Sequence, residues 1–221
     1  MVSVEFSPTE RERIAAAVAA AEAKTSAEIV PVVALDSGRY DRAEDAIGVV
    51  FGLLALTVVW FVYPPPEPGS WAGPPPTLEL VALIVALLVG MSLGSVLASR
   101  LPGLRRLAIP PSQMREETER AARALFYDQR IHHTERGDAV LIYISLYERV
   151  VCVLPDQQIE SQLGQDAIDE VCGVLTAKPR EADVTAALEA GIGTLGEHLA
   201  RALPGDGDDA NELEDALVVV R

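Results

Sequence analysis

The chain has 221 residues, a formal net charge of −15 and a sequence pI near 4.5. Such an acidic protein is repelled by phosphate backbones, so we expect no nucleic-acid partner. Its two cysteines, Cys152 and Cys172, are too few for a disulfide framework. Hydrophobic residues nevertheless make up 49% of the chain, and many of them lie in two long runs.

The first 45 residues predict one helix and one strand. Ser7 and Glu10 form a capping-box pattern, so we expect a helix over Pro8–Lys24 with proline at its first position. The stretch Glu28–Leu35 is rich in β-branched residues and predicts a strand. Pro31 within it predicts an edge strand or a bulge, because proline has no backbone N–H to donate.

Two uncharged apolar runs follow, Ala46–Tyr63 and Leu80–Ala98. At a helical rise of 1.5 Å per residue, the first run spans about 27 Å, close to the thickness of a bilayer core. The proline-rich segment Pro64–Pro76 ends the first helix and turns the chain back. We therefore predict a transmembrane hairpin over residues 46–98. The alternative is a buried helical pair in a large soluble core, but neither run keeps the polar face of a soluble helix.

Arginines flank the two runs, whereas the segment between them contains no lysine or arginine. The flanking residues are Arg39, Arg42, Arg100, Arg105 and Arg106. Positive charges next to membrane spans remain in the cytoplasm. We therefore expect a two-pass protein of the bacterial inner (plasma) membrane with both termini in the cytoplasm, and the lipid bilayer as a partner.

The interior of the hairpin predicts packing rather than transport. Neither run has an ionisable residue at its centre, which argues against a transporter or a channel. Gly90, Ser92 and Gly94 provide small side chains for close approach of the two helices or of two copies of the chain. A protein partner or a homo-oligomer therefore remains open.

The C-terminal part of the chain completes an α/β domain. Its predicted elements are a helix from Ser112 to about Gln129, strands Ala139–Ser145 and Arg149–Pro155, and helices Gln162–Leu175 and Asp183–Ala202. A long crossover containing a helix joins the first two strands of the chain, so they should be parallel neighbours, and the third should pair antiparallel. With helices on both faces, this predicts a three-layer α/β/α fold with a small mixed sheet.

The predicted division of the chain has four parts. Residues 1–45 and 99–203 form the α/β domain, residues 46–98 form the inserted transmembrane hairpin, and residues 204–221 form an acidic tail. The tail carries six carboxylates against one arginine, so we expect it to be disordered, and the alternative at its end is a short strand over Val218–Val220.

Three stretches of the chain resemble the TPM domain family, in its bacterial branch where two membrane helices interrupt the domain after the first strand. Ser26–Val30 is similar to the family's Ser-Gly-Glu-Ile-Val entry to that strand. Leu141–Asp156 is similar to its hairpin, and Phe126, His132 and Thr134 resemble the segment before it. The resemblance implies a TPM-type fold. The family has been labelled phosphatase-like, although many members are described only as membrane proteins of unknown function.

Polar residues follow the two strands that we expect to be parallel. Asp36 and Ser37 follow the first strand, and Ser145 and Glu148 lie at and after the end of the second. In α/β sheets, ligands bind at the carboxyl ends of the strands. Oxygen ligands suit Mg²⁺ or Ca²⁺, so Asp36, Ser37 and Glu148 are the candidate metal site. The alternative is that they are turn residues that bond to nearby backbone.

The sequence therefore favours an integral membrane protein whose cytoplasmic TPM-like domain is a binding or scaffold module of unknown ligand. The alternative is a metal-dependent, phosphatase-like hydrolase that acts at the strand-end acidic residues. The chain contains no P-loop and no nucleophile elbow, so whether it is an enzyme stays open. We expect His132, His133 and His198 to be surface or packing residues, since none has a cysteine or histidine at zinc spacing.

Overall fold

A computed structural model of the chain describes residues 6–62, 76–128, 138–177, 184–205 and 216–220. The chain forms two compact units, which we call the α/β unit (Met1–Gly38 and Met114–Arg221) and the hairpin unit (Arg39–Gln113). The hairpin unit contains helices α2 (Asp41–Val62), α3 (Pro76–Arg100) and α4 (Pro102–Leu107). The other elements are α1 (Pro8–Glu22), β1 (Glu28–Ala34), α5 (Pro111–Asp128), β2 (Ala139–Ser145), β3 (Val150–Pro155), α6 (Gln157–Leu163), α7 (Gln165–Thr176), α8 (Val184–Ala202) and β4 (Val218–Val220).

The described strands form a four-stranded mixed sheet in the order β3-β2-β1-β4. Strands β1 and β2 are parallel, with Glu28 opposite Ala139 and Ala34 opposite Ser145. Strand β3 pairs antiparallel with β2, as the short connection between them predicts. The predicted parallel pairing of β1 with β2 and the predicted β-hairpin of β2 and β3 are thus both confirmed.

Pro31 does not place β1 at an edge, because β1 lies between β2 and β4. The Leu35 N–H donates to Val220, on the β4 side. Backbone direction alternates along a strand, so the position of Pro31 faces that same side. Strand β4 pairs only with residues 32–34, and the Ile29 N–H on this side donates to the Glu22 carboxylate instead (2.7 Å). The sheet therefore tolerates proline where β1 has no neighbouring strand.

Helices cover both faces of the sheet. Alternate residues of β1 and β2, such as Ile29 and Ile142, pack with α1, α6, α7 and α8 in one cluster. The residues between them, such as Val32 and Leu141, pack with Phe126 of α5 on the opposite face. Burying each large aliphatic side chain stabilises the fold by roughly 1.5–3 kcal/mol. The α/β unit thus has the three layers that the sequence predicts.

Local sequence signals explain where two of these helices begin. Ser7 caps α1, and the Ser7 and Glu10 side chains each accept a hydrogen bond from the other's backbone N–H, which confirms the capping box. Asp156 caps α6 by accepting from the Gln157 N–H. The helix predicted over Gln162–Leu175 is confirmed from Gln165 onward as α7, but its predicted start is wrong, because Gly164 separates α6 from α7 with a φ of 76° that favours glycine.

At the end of the chain, the structure has the short strand that the sequence leaves open as the alternative to disorder. Val218–Val220 pairs with β1 as the fourth strand, so disorder does not extend to these three residues. Their side chains reach both faces of the sheet, because Val218 and Val220 join one apolar cluster and Val219 joins the other. Residues 206–215 of the predicted tail lie outside the described residues.

In the hairpin unit, α2 and α3 pack with their backbones in close approach. A Cβ added at Gly90 would lie 2.9 Å from the Cα of Gly52, and one added at Gly94 would lie 3.0 Å from the Cα of Gly48. Two glycine pairs with the same four-residue spacing therefore face each other. The small-residue face predicted on α3 is formed by its two glycines, whereas Ser92 is exposed and donates to the Leu88 carbonyl (2.8 Å).

The remaining surface of α2 and α3 is strongly apolar. Their most hydrophobic 18-residue windows have mean hydropathies of 2.2 and 2.6, and only 17% and 11% of those windows are buried. By length and composition, both helices are able to cross a membrane. The large apolar side chains that they expose are Val49, Val50, Leu53, Leu54, Val58, Trp60, Phe61, Val62, Leu78, Leu80, Val81, Ile84, Val85, Leu88, Val89, Leu93, Val96 and Leu97.

Candidate functional site

The parallel pairing of β1 and β2 brings the polar residues after both strands to one edge of the sheet. Beyond the last pair, Ala34 and Ser145, the chains stay together through two backbone hydrogen bonds. The Leu146 N–H donates to Ala34 and the Tyr147 N–H donates to Leu35, each at 3.0 Å. The segment after β1 is therefore held beside the turn that joins β2 to β3.

At this edge, a buried carboxylate closes a hydrogen-bond network. Glu148 is only 2% exposed, and its Oε1 accepts from the backbone N–H of Ser37 (2.9 Å). Its Oε2 accepts from the hydroxyl of Ser145, which is fully buried. One carboxylate in the turn after β2 therefore fixes the segment after β1, and we call Ser37, Tyr143, Ser145 and Glu148 the strand-end network.

The hydroxyl groups of this network have a defined direction of donation. Ser37 Oγ donates to Ser145 Oγ (2.8 Å), and Ser145 donates to Glu148. Ser37 has only one hydroxyl proton, so in its 3.2 Å contact with the Tyr143 hydroxyl, tyrosine is the donor. The chain of donation runs from Tyr143 through the two serines to the carboxylate.

Tyr143 keeps its proton at neutral pH, as this direction requires. Burial raises the pKa of the Tyr143 hydroxyl, and the negative charges of Glu148 and Asp36 act in the same sense. The hydrogen bond with Ser37 offsets part of that rise in pKa. A neutral phenol donating toward a carboxylate is therefore the stable arrangement of this edge.

The turn that carries Glu148 has one unusual backbone conformation. Arg149 has a φ of 55°, the left-handed region that side chains with a Cβ rarely adopt. It stands directly before β3, where Val150 pairs with Ser145 to start the hairpin. The Arg149 side chain is exposed, whereas the neighbouring Glu148 is buried in the network.

The three predicted metal ligands are only partly brought together. Ser37 and Glu148 are in contact, but through the Ser37 backbone N–H, while Asp36 is exposed at the end of the strand. Both oxygens of Glu148 already accept hydrogen bonds. Within the described ranges, no group of three or more His, Cys, Asp or Glu side chains is placed to hold a metal ion. A metal site of Asp36, Ser37 and Glu148 stays a prediction.

Tyr143 is a member of the strand-end network that no sequence motif singles out. Residues two apart on a strand share a face, so the side chains of Tyr143 and Ser145 point to the same side of the sheet. Both lie on the face covered by α5, where Tyr143 belongs to the apolar cluster. The signal that would have found it is a tyrosine two residues before a strand-end serine in an otherwise aliphatic strand.

Of the other ionisable candidates, Cys152 lies opposite Tyr143 in the β2–β3 pairing, whereas Cys172 and His198 lie on helices α7 and α8. His198 Nε2 on α8 lies 3.1 Å from a carboxylate oxygen of Glu170 on α7, a hydrogen-bonding distance that links the two helices. Burial raises the pKa of the Cys152 thiol to about 12 and also raises that of Cys172, so neither is an activated nucleophile. His132 and His133 lie outside the described residues.

No protein-family model and no curated protein matches the chain. Among solved structures, it is similar to the NMR structure of BA42 protein from the psychrophilic bacterium Bizionia argentinensis. The two share 15% sequence identity with a TM-score of 0.59, and the similarity covers 99% of this chain and 98% of that one. At that identity the likeness shows the fold alone, and membership of the TPM family stays a prediction.

Proposed function

We propose that this chain is a two-pass membrane protein whose α/β unit is a cytoplasmic, TPM-like binding or scaffold module. The observation that carries the membrane assignment is the contrast between two surfaces of the hairpin unit. Where α2 and α3 face each other, glycines allow backbone contact, and elsewhere large apolar side chains are exposed. Soluble monomers rarely expose contiguous apolar patches above a few hundred Å², whereas lipid favours them.

The distribution of arginine supports the orientation. Residues 43–99 contain no lysine or arginine, while Arg39, Arg42 and Arg100 stand just outside them. Under the positive-inside rule, the ends of the hairpin lie in the cytoplasm, together with the α/β unit that both ends enter. An inner (plasma) membrane of a bacterium is the compartment that fits this arrangement and the TPM resemblance.

A binding or scaffold role fits the strand-end network better than catalysis does. The Glu148 carboxylate is committed to Ser37 and Ser145, and it joins the ends of two parallel strands. A buried carboxylate whose two oxygens both accept hydrogen bonds stabilises the local fold of the sheet edge. It does not need a substrate to provide hydrogen-bond donors. The module would then present a rigid sheet edge, with Asp36 exposed beside it, to a protein partner or a second copy.

The alternative is a metal-dependent, phosphatase-like hydrolase at Asp36, Ser37 and Glu148. The observation in its favour is that Ser37 and Glu148 meet at the carboxyl edge of β1 and β2, with Asp36 next to Ser37 in the chain. A Mg²⁺ or Ca²⁺ ion there would bind Glu148 oxygens that each already accept one hydrogen bond, from Ser37 and from Ser145. It would also raise the melting temperature of the native chain as its concentration passes the dissociation constant.

Two experiments test these assignments. For the membrane assignment, membranes containing the full chain are extracted with alkaline carbonate and floated on a density gradient. The chain should stay with the lipid, and its release into the supernatant would refute the proposal. For the alternative, the detergent-solubilised chain is melted with Mg²⁺ or Ca²⁺ beside an Asp36→Asn variant, with a phosphate-ester assay. A cation-dependent shift lost in the variant, together with turnover, would establish the hydrolase and refute the scaffold.

A further inference from the structure

One segment of this acidic chain carries only positive charge. Between Glu79 and Glu116 there is no Asp or Glu, although the whole chain has a net charge of −15. That interval holds four arginines, all after the second apolar run: Arg100, Arg105, Arg106 and Arg115. Three of them border or lie within α4, the short helix that follows α3 after one residue.

The two leucines that flank this helix are exposed. Leu107 is 85% exposed and Leu101 is 47% exposed, although both are large and apolar. Neither lies within the apolar spans of α2 and α3, whose exposed side chains face lipid under the proposed function. The surface around α4 therefore combines arginines with apolar side chains, which is the composition of segments that lie at a membrane interface.

Arg105 holds α4 at the end of the hairpin. Its guanidinium contacts the Glu44 carboxylate at 3.3 Å, with both side chains largely buried, and lies 5.9 Å from the centre of the Tyr40 ring. Ser95 of α3 also donates to the Glu44 carbonyl (3.3 Å). The first turn of α2 thus anchors both α3 and α4, and the arginine-bearing segment stays where the spans end.

We propose that Arg100, Arg106 and the flanking Leu101 and Leu107 form a binding site for anionic phospholipid headgroups of the cytoplasmic leaflet. This inference rests on the proposed membrane insertion of the hairpin. Arginine binds phosphate oxygens through paired N–H donors, and the leucines extend the apolar surface of the spans into the headgroup region. The rest of the chain carries excess negative charge and is repelled by such lipids. A preference for anionic over zwitterionic lipid must therefore arise at this site.

The test measures lipid selectivity of the full chain in phosphatidylcholine vesicles. Spin-labelled phosphatidylglycerol and spin-labelled phosphatidylcholine are compared by the fraction that the protein immobilises. One arginine near an anionic surface contributes about a fivefold preference for anionic over zwitterionic lipid, and added salt weakens that preference. We expect the wild-type chain to prefer phosphatidylglycerol, and R100Q/R106Q to lose most of that preference.

A matched control separates local charge from total charge. R120Q/R123Q removes the same two charges from exposed side chains of α5. It should keep the wild-type preference. An equal loss of preference in the control, or an unchanged preference in R100Q/R106Q, would overturn the inference. An unchanged preference in R100Q/R106Q is the outcome if a second copy of the chain, and not lipid, covers Leu107.

The proposed function and this inference fail in different ways. If the chain does not float with the vesicles after alkaline carbonate, the membrane assignment is wrong and the lipid site falls with it. If it floats but immobilises both lipids equally, the membrane assignment stands and the anionic-lipid site alone is wrong. Circular dichroism of each variant confirms that the substitutions leave the fold intact.

Discussion

Replacing Glu148 by alanine should weaken the carboxyl edge of the sheet more than any other single change in the strand-end network. The substitution removes both acceptors of Glu148 and leaves the Ser37 N–H and the Ser145 hydroxyl without their partner. A buried donor that loses its acceptor costs about 1–3 kcal/mol. Two such losses give about 3 kcal/mol, even after partial relaxation.

Hydrogen exchange of the full chain in detergent measures this effect locally. At 1.4 kcal/mol for each factor of ten, the Ser37 amide and the neighbouring β1 and β2 amides should exchange roughly a hundredfold faster in Glu148→Ala. Glu148→Gln should cost less. Its amide oxygen accepts from Ser37, and its NH₂ donates to Ser145, provided that the hydroxyl chain reverses direction.

An exposed carboxylate provides the control for this experiment. Glu12 lies on the exposed face of α1, and Glu12→Ala should change stability by no more than about 0.5 kcal/mol. If Glu148→Ala also leaves exchange at the sheet edge unchanged, the network does not hold the two strand ends together. Glu148 would then have no structural role at this edge, contrary to the proposed scaffold.

Three further perturbations have defined outcomes. Arg149→Gly should stabilise the β2–β3 hairpin by about 1 kcal/mol in thermal unfolding, because glycine adopts a φ of 55° without steric cost. A loss of stability would show that the Arg149 side chain has a role. Gly90→Ala should destabilise the α2–α3 pair by about 1–3 kcal/mol, whereas Gly103→Ala, where an added Cβ meets no atom within 4 Å, should not. Stability should fall as the pH rises from about 9 toward 12, because the Cys152 thiol has a pKa of about 12 in the folded chain and ionises on unfolding. Cys152→Ala should flatten this pH dependence.

The elements that the sequence predicts well are those with strong local signals. The capping box of Ser7 and Glu10 sets the start of α1, and the aliphatic run Ala139–Ser145 has the bounds of β2 without adjustment. The parallel pairing of β1 and β2 follows from the length of their connection. Because that pairing aligns the strand ends, the meeting of Ser37 with Glu148 is also predictable.

The features that the sequence hides depend on tertiary context. Gly164 reads as one small residue in a helical pattern, and only its φ of 76° reveals the break between α6 and α7. Pro31 is compatible with a central strand because β4 pairs only with residues 32–34. Glu148 looks like a turn residue, and its burial depends on Ser145 and on a segment more than 100 residues earlier in the chain.

Cysteine accessibility on the two sides of the membrane tests the proposed two-pass topology most directly. In a C152A/C172A background, one single-cysteine variant carries Ser70→Cys in the segment between the apolar runs, and another carries Asp209→Cys near the C-terminus. Intact cells are treated with a membrane-impermeant maleimide from the periplasmic side. We expect labelling of Ser70→Cys in intact cells and of Asp209→Cys only after lysis. Labelling of Asp209→Cys in intact cells would contradict the two-pass topology.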